Sequence, residues 1–224
     1  RIVSDRPGAL LGRRPLHFFV LADCSGSMAS DGKMQALNHA IRETLPHLAS
    51  VAALNPHAEV LVRVIAFSTG ARWHLSVPTP ADVLQWEDLV PGGFTDLGAA
   101  LGLLGAALSA GAVEERALPP AVLLVSDGMP TDEWQDALAR VLEQPWGQRA
   151  VRVAVAIGRD ADQGVLQQFM GSTETPPLSA SNPEQLLRML RWASTYASRA
   201  ASIVAPLNMP LPVDLRSLGD EVTW

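Results

Sequence analysis

The chain has 224 residues, 48% of them hydrophobic and 18% charged, which suits one compact α/β domain and excludes a disordered chain. A net charge of −6 and a pI near 5.3 argue against a nucleic-acid surface, which needs a basic patch; Arg13-Arg14 is the only adjacent basic pair. The single cysteine, Cys24, excludes an intrachain disulfide and fits a reducing compartment.

In chain order, residues 1–14 read as a polar N-terminal arm containing Pro and Gly. The chain starts at Arg1 rather than Met, as a trimmed product would, and no signal-peptide pattern is visible. Leu16–Ala22 is a continuous apolar run, the mark of a central parallel strand buried on both faces. Met34, Leu37, Ile41, Leu45 and Leu48 recur at helical spacing, and Pro46 predicts a kink or break there. Asn55-Pro56 predicts a turn. Glu59–Phe67 and Ala71–Val77 read as a hairpin across residues 68–70, with Pro78-Thr79-Pro80 ending its second strand.

The run Leu97–Val113 is uncharged but short and rich in Ala and Gly. It reads as a buried helix rather than a membrane span, which takes ~17–25 apolar residues. Gly98, Gly102 and Gly105 suit a helix packed closely on a sheet. Ala121–Val125 and Val151–Ile157 are further buried strands. Asp132 is positioned to cap the helix that carries Trp134, Ala137, Leu138, Val141 and Leu142; Asp96 reads likewise as a helix cap. Asp162–Met170 is a short helix, and Asn182-Pro183-Glu184-Gln185 opens a last one reaching about Ala200.

Strands alternating with helices predict a Rossmann-like, doubly wound α/β fold. Its sheet is mostly parallel, with one antiparallel edge strand and helices on both faces. The domain spans residues 15–201. Residues 202–224 form a Pro-containing tail ending in Trp224, lying on the domain or on a partner.

The chemistry is concentrated in three segments, each expected just beyond a strand or before a helix. Asp23-Cys24-Ser25-Gly26-Ser27 follows the first strand and sets a carboxylate and two hydroxyls at alternate positions, able to converge on one point. Gly92-Gly93-Phe94-Thr95-Asp96 adds a hydroxyl after a flexible glycine pair, and Ser126-Asp127-Gly128 adds a carboxylate after Ala121–Val125. Singly, each residue could be a turn former or a cap. Jointly they place hard oxygen ligands at the carboxyl ends of strands, where open α/β sheets bind ligands. Such donors suit Mg²⁺ or Mn²⁺ rather than zinc or copper. Cys24, between two inward-pointing ligands, is expected to point away into packing.

Catalysis has little support. Ser25 lacks a G-x-S-x-G elbow, and His39, His47, His57 and His74 are scattered. Neither a phosphate-binding G-x-x-x-x-G-K-[ST] loop nor a G-x-G-x-x-G follows a strand. A haloacid-dehalogenase phosphatase would need an aspartate where Ser25 stands.

Asp23, Ser25, Ser27, Thr95 and Asp127, a D-x-S-x-S … T … D set, resemble the metal-ion-dependent adhesion site (MIDAS) of the von Willebrand factor A (VWA) family, over about residues 15–200. The resemblance implies a non-catalytic interaction module. Both serines would bind the metal directly, the threonine directly or through water, and the aspartates largely through water. One coordination position would stay open for an acidic residue of a protein partner.

Ala71-Arg72-Trp73-His74, residues 92–98 and 126–132, and Arg191-Trp192 look like the bacterial tellurium-resistance-associated (TerY-like) branch. That branch implies a cytoplasmic, phosphorylation-linked signalling complex with a protein kinase and a protein phosphatase. The alternative is a VWA subunit that assists an AAA+ ATPase, as in chelatase-like assemblies.

Overall fold

The computed structural model describes residues 13–55, 58–159, 161–171 and 176–202. Most of the predicted arm and tail, with Pro56 and His57, therefore lies outside the described residues. The strands are β1 (Arg14–Asp23), β2 (Ala58–Ser68), β3 (Gly70–Pro80), β4 (Ala121–Ser126), β5 (Val151–Ile157) and β6 (Leu178–Ala180). The helices are α1 (Lys33–Ala53), α2 (Leu97–Ala107), α3 (Trp134–Leu142), α4 (Pro145–Arg149), α5 (Gln163–Met170) and α6 (Pro183–Ser202).

One sheet runs in the order β3-β2-β1-β4-β5-β6. All neighbours are parallel except β2 and β3, the expected antiparallel edge. Every residue of β1 after Arg14 is buried, as a continuous apolar run between two parallel neighbours requires. Phe18, Val20, Val62, Leu123 and Val155 face α1 and α6, while Phe19, Leu21, Ile65, Leu124 and Ala156 face α2, α3 and α5. The doubly wound arrangement is thus present. Each large apolar side chain fully buried in these two layers stabilises the fold by about 1.5–3 kcal/mol.

Several local expectations change. α1 continues through Pro46. The proline forfeits one backbone bond, but Ile41, Leu45 and Leu48 are packed into the core on either side of it. β3 extends through Pro78 to Pro80, because an edge strand has a free side on which a missing N–H costs nothing. α4 and the three-residue β6 carry too little periodicity to be anticipated.

The α2 glycines do not serve the sheet. A Cβ on Gly98 would lie 2.8 Å from Asp132 Oδ2 and 3.1 Å from Trp134 Cα, and one on Gly105 would lie 3.4 Å from Val141 Cγ2. They let α2 approach the α3 segment, while Leu97, Leu101 and Leu104 face the sheet. A Cβ on Gly102 meets nothing within 4 Å.

The two positions therefore predict opposite outcomes in urea unfolding. Gly102→Ala should gain about 0.5–1 kcal/mol, since alanine loses less backbone entropy in a helix. Gly98→Ala should lose about 1–3 kcal/mol by forcing the helix off its neighbour.

Candidate metal centre

Strand order reverses between β1 and β4: β1 leads through α1 to β2 on one side, and β4 leads to β5 on the other. At such a switch point the loops part and leave a crevice at the carboxyl ends of the strands. Asp23 ends β1 and Ser126 ends β4.

Asp23 is fully buried, with both oxygens engaged. Oδ1 accepts the Ser25 N–H at 2.8 Å, and Oδ2 accepts the Ser126 hydroxyl at 2.5 Å. One carboxylate therefore joins the two strand ends. Burial pushes its carboxyl above the usual range; the bonds from Ser126 and Ser25 oppose the rise, and the charge of Asp127 adds to it.

A chain of hydroxyls leads on from there. Ser27 Oγ donates to Asp127 Oδ1 at 2.7 Å. Its one proton is then committed, so at 2.9 Å it accepts from Ser25 Oγ. The other Asp127 oxygen, Oδ2, accepts from Lys33 Nζ at 2.8 Å. Thr95 stands opposite: its Oγ1 is 3.6 Å, and Ser27 Oγ 3.8 Å, from the point a Cβ on Gly128 would occupy. A side chain at position 128 would fill the space between them. The structure thus brings Asp23, Ser25, Ser27 and Asp127 into one hydrogen-bonded group, with Thr95 facing it across Gly128.

The supporting loops are tied down by backbone and carboxylate bonds. Gly26 N–H donates to Gly93 O at 2.9 Å and Gly92 N–H to Cys24 O at 2.8 Å, lashing the Thr95 loop to the Ser25 loop. Gly93 has φ +86°, and a Cβ there would lie 2.5 Å from Thr69 Oγ1, so only glycine fits. Asp96 does not cap α2 with its side chain. It accepts from Gly70 N–H at 2.7 Å and from the Thr131 hydroxyl at 2.8 Å. Asp132 does not cap α3 either. It accepts from Gly98 N–H and Ala99 N–H, both at 2.9 Å, and so caps α2 across space.

Two residues at the centre escape the motif, Ser126 and Lys33. Ser126 had no distinguishing signal. Lys33 had one: it is the only lysine among 17 Lys and Arg residues. It also opens α1, where the helix dipole disfavours a cation and no acidic residue stands in the first turn.

Among the described residues no cluster of three His, Cys, Asp or Glu side chains could hold a metal ion; a metal at this centre would rest on hydroxyls with the two carboxylates. The histidines with described bonds are occupied elsewhere: His17 with Glu114, His47 with Thr195, and His74 with the Glu87 carbonyl.

The family model for the von Willebrand factor type A domain matches residues 18–129, a span that contains all five motif residues. The chain belongs to the VWA family. No curated protein matches it in sequence. Solved structures share the fold. Proximal thread matrix protein 1 from the mussel byssus, solved with its MIDAS motif occupied by zinc, superposes with a TM-score of 0.65 at 18% identity, covering 81% of this chain and 48% of that one. A von Willebrand factor type A protein from Catenulispora acidiphila gives 0.58 at 18% identity, covering 82% and 43%. The ArnB paralog VWA2 from Sulfolobus acidocaldarius gives 0.56 at 17% identity, covering 80% and 44%. The chain thus spans about half the length of these VWA-fold neighbours.

Within this VWA domain Cys24 points away from the centre. Its thiol is buried and donates to Ala22 O at 3.6 Å. Burial, then the charge of Asp23, pushes it up to about 12. The thiolate is the nucleophile, so iodoacetamide at about pH 8 should leave Cys24 unmodified in the native protein and label it after unfolding in guanidinium. Mass spectrometry reads both outcomes.

Proposed function

We propose that this VWA domain binds a divalent cation at Asp23, Ser25, Ser27, Thr95 and Asp127 and docks an acidic residue of a protein partner there. The observation that carries the proposal is the spacing of the oxygens. Ser25 Oγ to Ser27 Oγ is 2.9 Å and Ser27 Oγ to Asp127 Oδ1 is 2.7 Å. Octahedral Mg²⁺ holds oxygens at ~2.0–2.1 Å, so neighbouring ligands lie about 3 Å apart. The hydroxyls therefore already stand at the separation of adjacent ligands. The excess of buried negative charge around Asp23 favours a cation too.

A cation bound there would supply a point of positive charge for a partner carboxylate. The chain supplies the rest. Ser25, Ser27 and Thr95 are neutral donors, so only Asp23 and Asp127 offset the ion's charge. Ser25 donates its proton to Ser27 and no described histidine bonds to it, which supports binding rather than nucleophilic chemistry.

Around the centre the loops expose apolar side chains: Phe94 is 65% exposed and Met129 66%. Such a rim fits an acidic side chain flanked by apolar residues. Mg²⁺ or Mn²⁺ is the ion proposed, with Zn²⁺ as the competitor that the mussel structure brings in. The TerY-like segments support a bacterial cytoplasmic complex with a kinase and a phosphatase. Recovery of an AAA+ ring instead would move the chain to the chelatase-like reading.

Calorimetry with Mg²⁺, Mn²⁺ and Zn²⁺ tests the site. Asp127→Ala should lose at least tenfold in affinity, and equal binding by both proteins would remove the assignment. Affinity pull-down tests the docking. EDTA and Ser27→Ala should both release the partner. Phe94→Ser with Met129→Ser should weaken capture by about 1–2 kcal/mol while Tm holds, since both side chains are exposed.

A further inference from the structure

We propose that Lys33 is a tethered counter-cation that competes with the metal ion for Asp127 and sets the site's ion affinity. This rests on the metal-site reading above. The Lys33 side chain is almost completely buried and its ammonium bonds Asp127 Oδ2 at 2.8 Å. The end of its stem runs against the turn after β5: a Cβ on Gly158 would lie 3.4 Å from both Cε and Nζ. That turn is pinned by the Gly158 N–H, which donates to Ala180 O at 2.7 Å. The ammonium is therefore held on Asp127 by the fold and is not a surface charge that happens to lie nearby.

The choice of residue is informative. Sixteen of the 17 basic residues are arginine, and the single lysine stands here. A planar guanidinium is bulkier and would spread its donors in a fork, whereas an ammonium is a compact point charge able to sit in a narrow slot. The position is also electrostatically opposed by the N-terminus of α1, so the macrodipole does not account for it.

Two carboxylates and one ammonium leave the pocket with one net negative charge. A divalent ion entering it meets Lys33 as a like charge and must share Asp127 with it. The bound complex then carries a net positive charge toward the open face. Lys33 thus weakens ion binding and keeps the bound ion available to an acidic partner. A purely structural role makes the opposite prediction, because a lysine that only positions Asp127 would, when removed, leave a displaced ligand and weaker ion binding.

The sign of the change is the test. Mn²⁺ binding is measured by electron paramagnetic resonance on wild type and on Lys33→Met, which keeps an apolar stem and removes the charge. The variant should bind Mn²⁺ at least tenfold more tightly, and Mn²⁺ should raise its Tm more than that of wild type. Equal or weaker binding by Lys33→Met overturns the proposal while leaving the metal site standing. Absence of Mn²⁺ binding in both proteins overturns the metal reading and this one with it.

A second measurement needs no variant, should Lys33→Met fail to fold. Because the chain has one lysine, protein labelled with [ε-¹³C]lysine gives a single side-chain NMR signal. Saturating Mg²⁺ should shift that signal as the Lys33–Asp127 bond loosens. A signal unmoved by Mg²⁺ in a protein that calorimetry shows to be loaded overturns the proposal.

Discussion

The buried carboxylate of Asp23 is the constraint on which the rest of the centre depends. It sits at the end of β1 with no exposure, and its oxygens accept hydrogen bonds from the Ser25 N–H of the following loop and from the Ser126 hydroxyl at the end of β4. A buried carboxylate left without such bonds would cost several kcal/mol. The Ser25 N–H and the Ser126 hydroxyl offset part of that cost, and in doing so they fix the Ser25 loop against β4. The residual charge makes the pocket attractive to a cation. Fold and site chemistry are joined in this one side chain.

The scaffold makes the convergence possible by parting the loops at the switch between β1 and β4. What keeps the parted loops from collapsing is a second set of carboxylates. Asp96 braces the β2–β3 turn and Thr131, and Asp132 holds the first turn of α2. Each replaces a local cap with a bond between segments distant in sequence. Gly93 and Gly98 supply the close approaches these bonds need. Thr95 is therefore held from both sides, through Asp96 and Thr131 on one and through Gly93 on the other, although its hydroxyl bonds to none of the other motif residues.

Much of the architecture was legible because buried parallel strands write themselves as unbroken apolar runs. Leu16–Ala22 and Val151–Ile157 are examples, and the antiparallel edge showed in the short Ser68–Gly70 turn. The grouping of Asp23, Ser25, Ser27 and Asp127 was legible because oxygen donors following two parallel strands have few structural reasons to recur together; Thr95 reaches the group from the loop before α2 and not from a strand end. What stayed hidden has a common cause. Asp96 and Asp132 follow the local pattern of helix caps, yet their partners lie across space, which local preference does not encode. Pro46 and Pro80 are penalised by local rules, and tertiary packing or an edge position outweighs the penalty. Lys33 stands out as the single lysine, but nothing local points to its partner, Asp127, 94 residues away.

Charge balance bears on the composition of the candidate ligand set. A third carboxylate at position 25 or 27 would lie within a few ångströms of Asp23 and Asp127, and mutual repulsion at reduced dielectric would cost several kcal/mol before any ion arrived. Neutral serines avoid this while still presenting oxygens at ligand spacing. The two carboxylates that remain are treated differently. Asp23 has its charge stabilised by hydrogen bonds alone, with no cationic side chain bonded to it among the described residues, and serves as a structural anchor. Asp127 is divided, one oxygen turned to the Ser27 hydroxyl and the other to Lys33. That division leaves Asp127 as the residue through which the charge of the site can be adjusted without disturbing the buried joint at Asp23.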